Sequence, residues 1–165
     1  MVKRRVVVTG LGAVTPIGNN VRDVWESIEG SQSGITRITK FDASNYASQI
    51  AGEVKDFSAA DHLNVKDVRR TDTFIHFGLV AGMEALNDAG IVKHPNYAER
   101  VGVYIGSGIG GLPLIEATHT LNITVGPKKI SPFFIPGSII NMIAGNLSIE
   151  YGFKGPNLAI STACT

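Results

Sequence analysis

Twice along this chain a largely apolar run ends in closely spaced glycines and passes into a helical pattern. That order constrains the fold more than any other feature. Residues 4–8 carry Val6-Val7-Val8 and end in Thr9-Gly10-Leu11-Gly12. Beyond them Val21, Val24, Trp25 and Ile28 recur at i, i+3, i+4 and i+7, one face of a helix. Asn20 is placed to cap that helix, Asp23 to sit in its first turn and Gly30 to stop it. Residues 100–105 repeat the order, followed by Gly106-Ser107-Gly108-Ile109-Gly110-Gly111 and a helix predicted over 112–122, with Pro113 tolerated in its first turn. Buried strand, glycine turn and helix in that sequence predict an α/β layered fold.

Between these units, residues 30–66 are rich in Ser, Asn, Asp and Gly and read as loops and short elements, with a short strand around 49–54. The run Asp67-Val68-Arg69-Arg70-Thr71-Asp72 leads into a helix to about Ala89, stopped by Gly90. Phe74, Phe77, Ala81, Ala85 and Ala89 fall on one of its faces, and Ile75, Leu79, Gly82 and Leu86 on another. A helix apolar on two faces is expected to be buried. Residues 126–137 hold three prolines and Phe133-Phe134, an irregular aromatic stretch. Ser138 is placed to cap a helix with Ile140, Ile143, Ala144, Leu147 and Tyr151 on one stripe. Gly155-Pro156 then precedes Leu158-Ala159-Ile160, a strand expected to need cover on both faces.

That strand leads to Ser161-Thr162-Ala163-Cys164-Thr165, which contains the sole cysteine. A thiol just past a strand end, among small side chains, is where a nucleophile can be presented. A helix expected after it would favour the thiolate through its free N–H groups and dipole. A free cysteine is also, in general, a small buried hydrophobe, and the thiol alone leaves both readings open. One cysteine excludes an internal disulfide, which suits a reducing compartment.

The 165 residues make one domain or part of a larger one. They are 44% hydrophobic and 18% charged, so little solvated surface is available per residue, as in a piece covered by more protein. Lys and Arg total 15 against 14 Asp and Glu, a balance that selects no acidic partner. Local clusters are another matter. Lys66, Arg69 and Arg70, and separately Lys128 and Lys129, are either a solvated face or a dock for an anionic partner. Nothing resembles a nucleic-acid module, so that partner is expected to be an acidic protein or a phosphate. Lys3-Arg4-Arg5 before an apolar run mimics a signal peptide, but Gly10, Gly12 and Pro16 break the run. No window approaches the roughly 18 apolar residues of a membrane span. A soluble, cytoplasmic protein is expected.

Gly106-x-Gly108-x-x-Gly111 matches the glycines of a dinucleotide fingerprint, yet Lys128, Lys129 and Ile130 stand where its acidic residue belongs. Gly10-x-Gly12-x-x-Thr15 lacks the third small residue. These glycines are instead expected to let backbone approach another segment or a ligand. His62, His76, His94 and His119 have no metal-ligand spacing, and His76, on an apolar helix, reads as a satisfied interior or interface group. Neither a metal nor a cofactor is expected.

Three blocks carry a family resemblance. Val7-Val8-Thr9-Gly10-Leu11-Gly12-Ala13-Val14-Thr15-Pro16-Ile17-Gly18, the stretch Gly106-Ser107-Gly108-Ile109-Gly110-Gly111, and Gly155-Pro156-Asn157 with Ser161-Thr162-Ala163-Cys164-Thr165 resemble the β-ketoacyl-acyl carrier protein synthases. The likeness runs the length of the chain. It implies the thiolase-like layered fold, α-β-α-β-α in the complete enzyme, with residues 1–165 covering most of the first half and ending just after the nucleophile. It implies an acyltransferase of fatty-acid elongation in which Cys164 takes an acyl group from a carrier protein. Malonyl-carrier protein is then decarboxylated, and its carbanion attacks the thioester. The Cys164 N–H would be one oxyanion donor. Ile109 and Phe134 match positions lining the acyl pocket near a homodimer interface, and Lys66, Arg69, Arg70, Lys128 and Lys129 match the surface that receives the acidic acyl carrier protein. The family's two catalytic histidines, supporting lysine and second oxyanion donor lie downstream of its nucleophile, and the four histidines here do not match them. Two other readings stand beside this one: a non-catalytic, carrier-docking fragment, and a thiolase or polyketide ketosynthase relative.

Overall fold

The computed structural model describes residues 3–91 and 95–162. The chain divides into two compact units, Met1–Ser58 with Ala81–Ile91, and Ala59–Val80 with Val92–Thr165.

In the first unit, helix α1 (Val21–Glu29) has the expected ends. The Asn20 side chain accepts the Asp23 N–H at 2.9 Å, and Gly30 closes the last turn. Strands β1 (Ile35–Arg37) and β2 (Ile50–Gly52) pair antiparallel, Thr36 opposite Ala51; β2 falls inside the expected 49–54, whereas β1 lies in a stretch read as loop. The glycine turn packs as expected on backbone: a Cβ at Gly10 or Gly12 would meet the carbonyl of Ala85 or Ala81. Two N–H groups of the turn and the first of α1 are taken by the chain's own carboxylates. Asp88 accepts from Leu11, and Glu84 from both Ala13 and Val21, each at 2.9 Å. Amides committed to carboxylates are not a phosphate cradle, in line with the failed nucleotide fingerprint.

Residues 4–8 depart from expectation. They form no strand, and Val6 is 90% and Val8 79% exposed. β-branched residues favour extended backbone but do not provide a ladder partner, and none pairs with them among the described residues. On the apolar stripe of α1, Trp25 and Ile28 are likewise exposed, whereas Val21 and Val24 are half-buried.

The second unit holds most of the buried apolar side chains. A short helix α2 (Val65–Val68) precedes α3 (Thr73–Asp88), whose C-terminal half belongs to the first unit. Gly90, with φ +65°, follows α3 as the stop signal predicts. Strand β3 (Val103–Gly106) starts three residues later than expected; of those three, Arg100 ends a 3-10 helix, Pro95–Arg100. Next come α4 (Leu112–Thr124), which begins as predicted with Pro113 in its first turn, then α5 (Phe134–Ser138) and α6 (Met142–Tyr151). Strand β4 (Asn157–Ile160) returns parallel to β3, with Val103 opposite Asn157 and Gly106 opposite Ile160. A parallel neighbour requires a long crossover, and the three helices supply it.

The predicted stripe of α6 is the core here: Ile143, Ala144 and Leu147 are buried, as are Ile75 and Val80 of α3. Gly78 brings α3 onto Ile143, where a Cβ would collide with the isoleucine side chain. Asn157 fastens β4 to α6, donating to the Ala144 carbonyl at 2.9 Å and the Ser148 hydroxyl at 2.7 Å. Two expectations fail. Ser138 does not cap α6; it ends α5, with its hydroxyl donated to the Ile135 carbonyl at 3.3 Å, and Asn141 stands at the α6 start. β4 is not buried: Leu158 is 50% and Ile160 52% exposed, since two strands and one helix layer leave much of its surface uncovered.

Candidate active site

β3 and β4 end side by side, and the carboxyl ends of parallel strands are where α/β sheets place ligands. The Ser107 N–H donates to the Ile160 carbonyl at 3.1 Å, extending the ladder one residue beyond β3. Past β4 the chain continues through Ser161 and Thr162. Cys164, the candidate nucleophile, lies outside the described residues, as does His94.

Beside this strand end arches the glycine loop, residues 106–111. It is held at one end by Ser107 and at the other by the Gly111 N–H, which donates to the Ser138 carbonyl at 2.9 Å. Gly110 adopts φ +90°, a conformation that disfavours any side chain, and a Cβ there would also strike the Ser138 carbonyl. The Ser161 hydroxyl reaches into the arch and donates to the Gly108 carbonyl at 2.9 Å. Ile109 at the crown is exposed. Phe134, half-buried, begins α5, the helix whose last residue receives Gly111. The two candidate pocket residues therefore stand on segments joined through Gly111 and Ser138.

Sequence reasoning passed over the residue that fastens this assembly. Asp72 is buried just before α3. Its carboxylate accepts the Leu114 N–H at 2.8 Å and the Phe74 N–H at 3.3 Å, while its own N–H donates to the Gly137 carbonyl at 3.0 Å. It caps α3 locally and α4 at long range, where Gly111 offers no capping side chain. An Asp directly before a predicted helix was the available signal. The α4 bond has none in sequence.

The first basic cluster is built onto α5. The Arg70 guanidinium carbon lies 4.2 Å from the centroid of the Phe133 ring, a cation–π contact that leaves the charge at the surface. Lys66 and Arg69 are exposed on and after α2. Lys128 and Lys129 are exposed in a 3-10 turn, Pro127–Lys129, between α4 and α5. His76 is the interior group expected of it: buried, with Nε2 3.0 Å from the Thr71 hydroxyl. That hydroxyl spends its proton on the Asp67 carbonyl at 2.7 Å, so His76 must donate from Nε2. Burial lowers the His76 pKa, opposed in part by Asp72. His62 and His119 are exposed. Among the described residues no group of three or more His, Cys, Asp and Glu could hold a metal ion, and no helix is long and apolar enough to cross a membrane.

Residues 3–165 match the family described as "Beta-ketoacyl synthase, N-terminal domain". The chain is 54% identical over 165 residues to 3-oxoacyl-[acyl-carrier-protein] synthase 2 of Vibrio harveyi, covering 100% of this chain and 40% of that protein. It is 48% identical over 162 residues to the same-named protein of Synechocystis sp., covering 98% of this chain and 39% of the other. It thus spans about 40% of the length of these curated relatives. Among solved structures, a type II PKS acyl-carrier protein in complex with its ketosynthase bound to the hexaketide matches with TM-score 0.79 at 28% identity, over 97% of this chain and 42% of that one. A β-ketoacyl synthase from Burkholderia phymatum matches with TM-score 0.76 at 22% identity, over 98% of this chain and 40% of that one, a likeness of fold.

Proposed function

This chain belongs to the β-ketoacyl synthase family, and on that premise we propose that the whole protein is a 3-oxoacyl-[acyl-carrier-protein] synthase of fatty-acid elongation with Cys164 as its nucleophile. The observation that carries the reading is 54% identity, over the full chain, to a protein named for that activity. The position of Cys164 in the sequence, four residues past the last residue of a parallel strand, supports it.

The chemistry is acyl transfer followed by decarboxylative condensation. The Cys164 thiolate attacks the thioester carbonyl of an acyl-carrier protein; a new C–S bond forms and the carrier's thiolate leaves. Malonyl-carrier protein then loses CO2, and the resulting carbanion attacks the Cys164 thioester. Cys164 departs as thiolate, and the chain is longer by one two-carbon unit. The Cys164 N–H serves as one donor to the oxyanion formed in both attacks. Ile109 and Phe134 line the acyl channel, and Lys66, Arg69, Arg70, Lys128 and Lys129 receive the acidic carrier. The enzyme works as a cytoplasmic homodimer without cofactor.

A polyketide ketosynthase is the second reading, favoured by the structural match at 28% identity. The higher identity to the elongation enzymes decides against it. The test is to incubate the whole protein with acyl-carrier protein and map the acyl adduct by mass. An adduct on Cys164, followed by condensation when malonyl-carrier protein is added, is expected; an adduct elsewhere overturns the reading.

A further inference from the structure

We propose that Ser161 is a positioning residue for the acyl-binding loop, an inference that rests on the function proposed above. The bond from its hydroxyl to the Gly108 carbonyl, 2.9 Å long, spans 53 positions of sequence. Gly108 O and Ile109 N belong to one planar peptide unit. Whatever holds that carbonyl sets the plane that enters Ile109, and with it the direction in which the Ile109 side chain leaves the loop.

The loop needs such a hold. It is anchored at its two ends, by Ser107 on Ile160 and by Gly111 on Ser138. At Gly108 a Cβ would meet nothing within 4 Å, so packing does not restrain the middle of the arch. Glycine at 108, with no Cβ to restrict it, leaves its peptide units free to turn over. Ser161 supplies the restraint, and it does so from three positions before Cys164. The residue at the crown of the acyl channel is thereby referenced to the backbone that presents the nucleophile. The bond ties the middle of the loop to the end of the strand that leads to the nucleophile.

The role predicts a selective defect. In the whole protein, Ser161→Ala should raise the KM for long-chain acyl-carrier donors about threefold to tenfold, the worth of one net hydrogen bond. The KM for malonyl-carrier protein should not change. Ser161→Thr keeps the hydroxyl and should restore the parent profile. The side chain is exposed, so both variants should melt with the parent protein. Parent kinetics in Ser161→Ala, an equal loss toward both substrates, or failure of Thr to restore the profile would each overturn the inference. Cys164→Ala, run in parallel, keeps the two claims apart. If it abolishes condensation while Ser161→Ala changes nothing, only the Ser161 role falls. If it leaves condensation intact, the proposed function falls.

Discussion

The Asp72 carboxylate accepts the Leu114 N–H at 2.8 Å, so a residue at the start of α3 caps the first turn of α4 from 42 positions away. The same residue binds the Gly137 carbonyl through its N–H, and a Cβ at Gly111 would collide with its side chain. One buried residue thus ties together, through its side chain and its backbone N–H, the start of α4, the end of α5 and the glycine loop between β3 and α4.

Replacing it should be costly. Asp72→Ala removes the cap and leaves the Leu114 amide without its acceptor, for a loss of about 2 kcal/mol. Asp72→Asn keeps an acceptor oxygen and should lose less than half of that. Denaturant unfolding of the whole protein checks both values, and an alanine variant as stable as the parent would refute the capping role.

The proposed nucleophile is open to direct chemical test. Iodoacetamide or a cerulenin-type inhibitor should modify Cys164 and stop condensation, and prior acylation should protect it. Cys164→Ala should lower condensation about a thousandfold or more, as expected when a covalent step is deleted. Peptide mapping that places the label on another residue would count against it.

Carrier docking makes a different demand. Reversing Arg69 and Arg70 to Glu should raise the KM for carrier-linked substrates about tenfold at low salt and flatten its salt dependence. Phe133→Leu keeps the Arg70 charge but removes the ring beneath it, and should produce a smaller rise. Identical salt profiles in parent and reversed protein would return these residues to an ordinary solvated face.

Glu53 carries a pH signature. The Thr39 hydroxyl, at 2.7 Å, together with the Lys40 and Thr39 N–H groups, holds its carboxyl below the ordinary value of 4.5 against the opposing effect of burial. A carboxyl lowered in the folded state stabilises fully above its unfolded value, and that stabilisation is lost as pH falls through the folded value. Thr39→Val removes the largest cause. It should therefore destabilise the protein at pH 7 and have less effect at pH 3, as read from melting midpoints across that range. A deficit that grows toward acid would contradict the assignment.

Sequence alone determined what near neighbours determine. Asn20, Gly30, Pro113 and Gly90 marked helix ends because capping and breaking act within a turn. Ile143, Ala144 and Leu147 marked the core because helical periodicity repeats burial along the chain. Gly10 and Gly12 were legible as points of close backbone approach, since only glycine fits there. The bonds that shape the candidate site belong to tertiary structure. Asp72 to Leu114 and Ser161 to Gly108 end on backbone amides and carbonyls, which every residue possesses and no spacing reveals. The same reason explains residues 4–8 and β4. A strand's sequence fixes its extended backbone and its apolar faces, but its pairing and its cover come from other segments, and only the folded chain decides which segments those are.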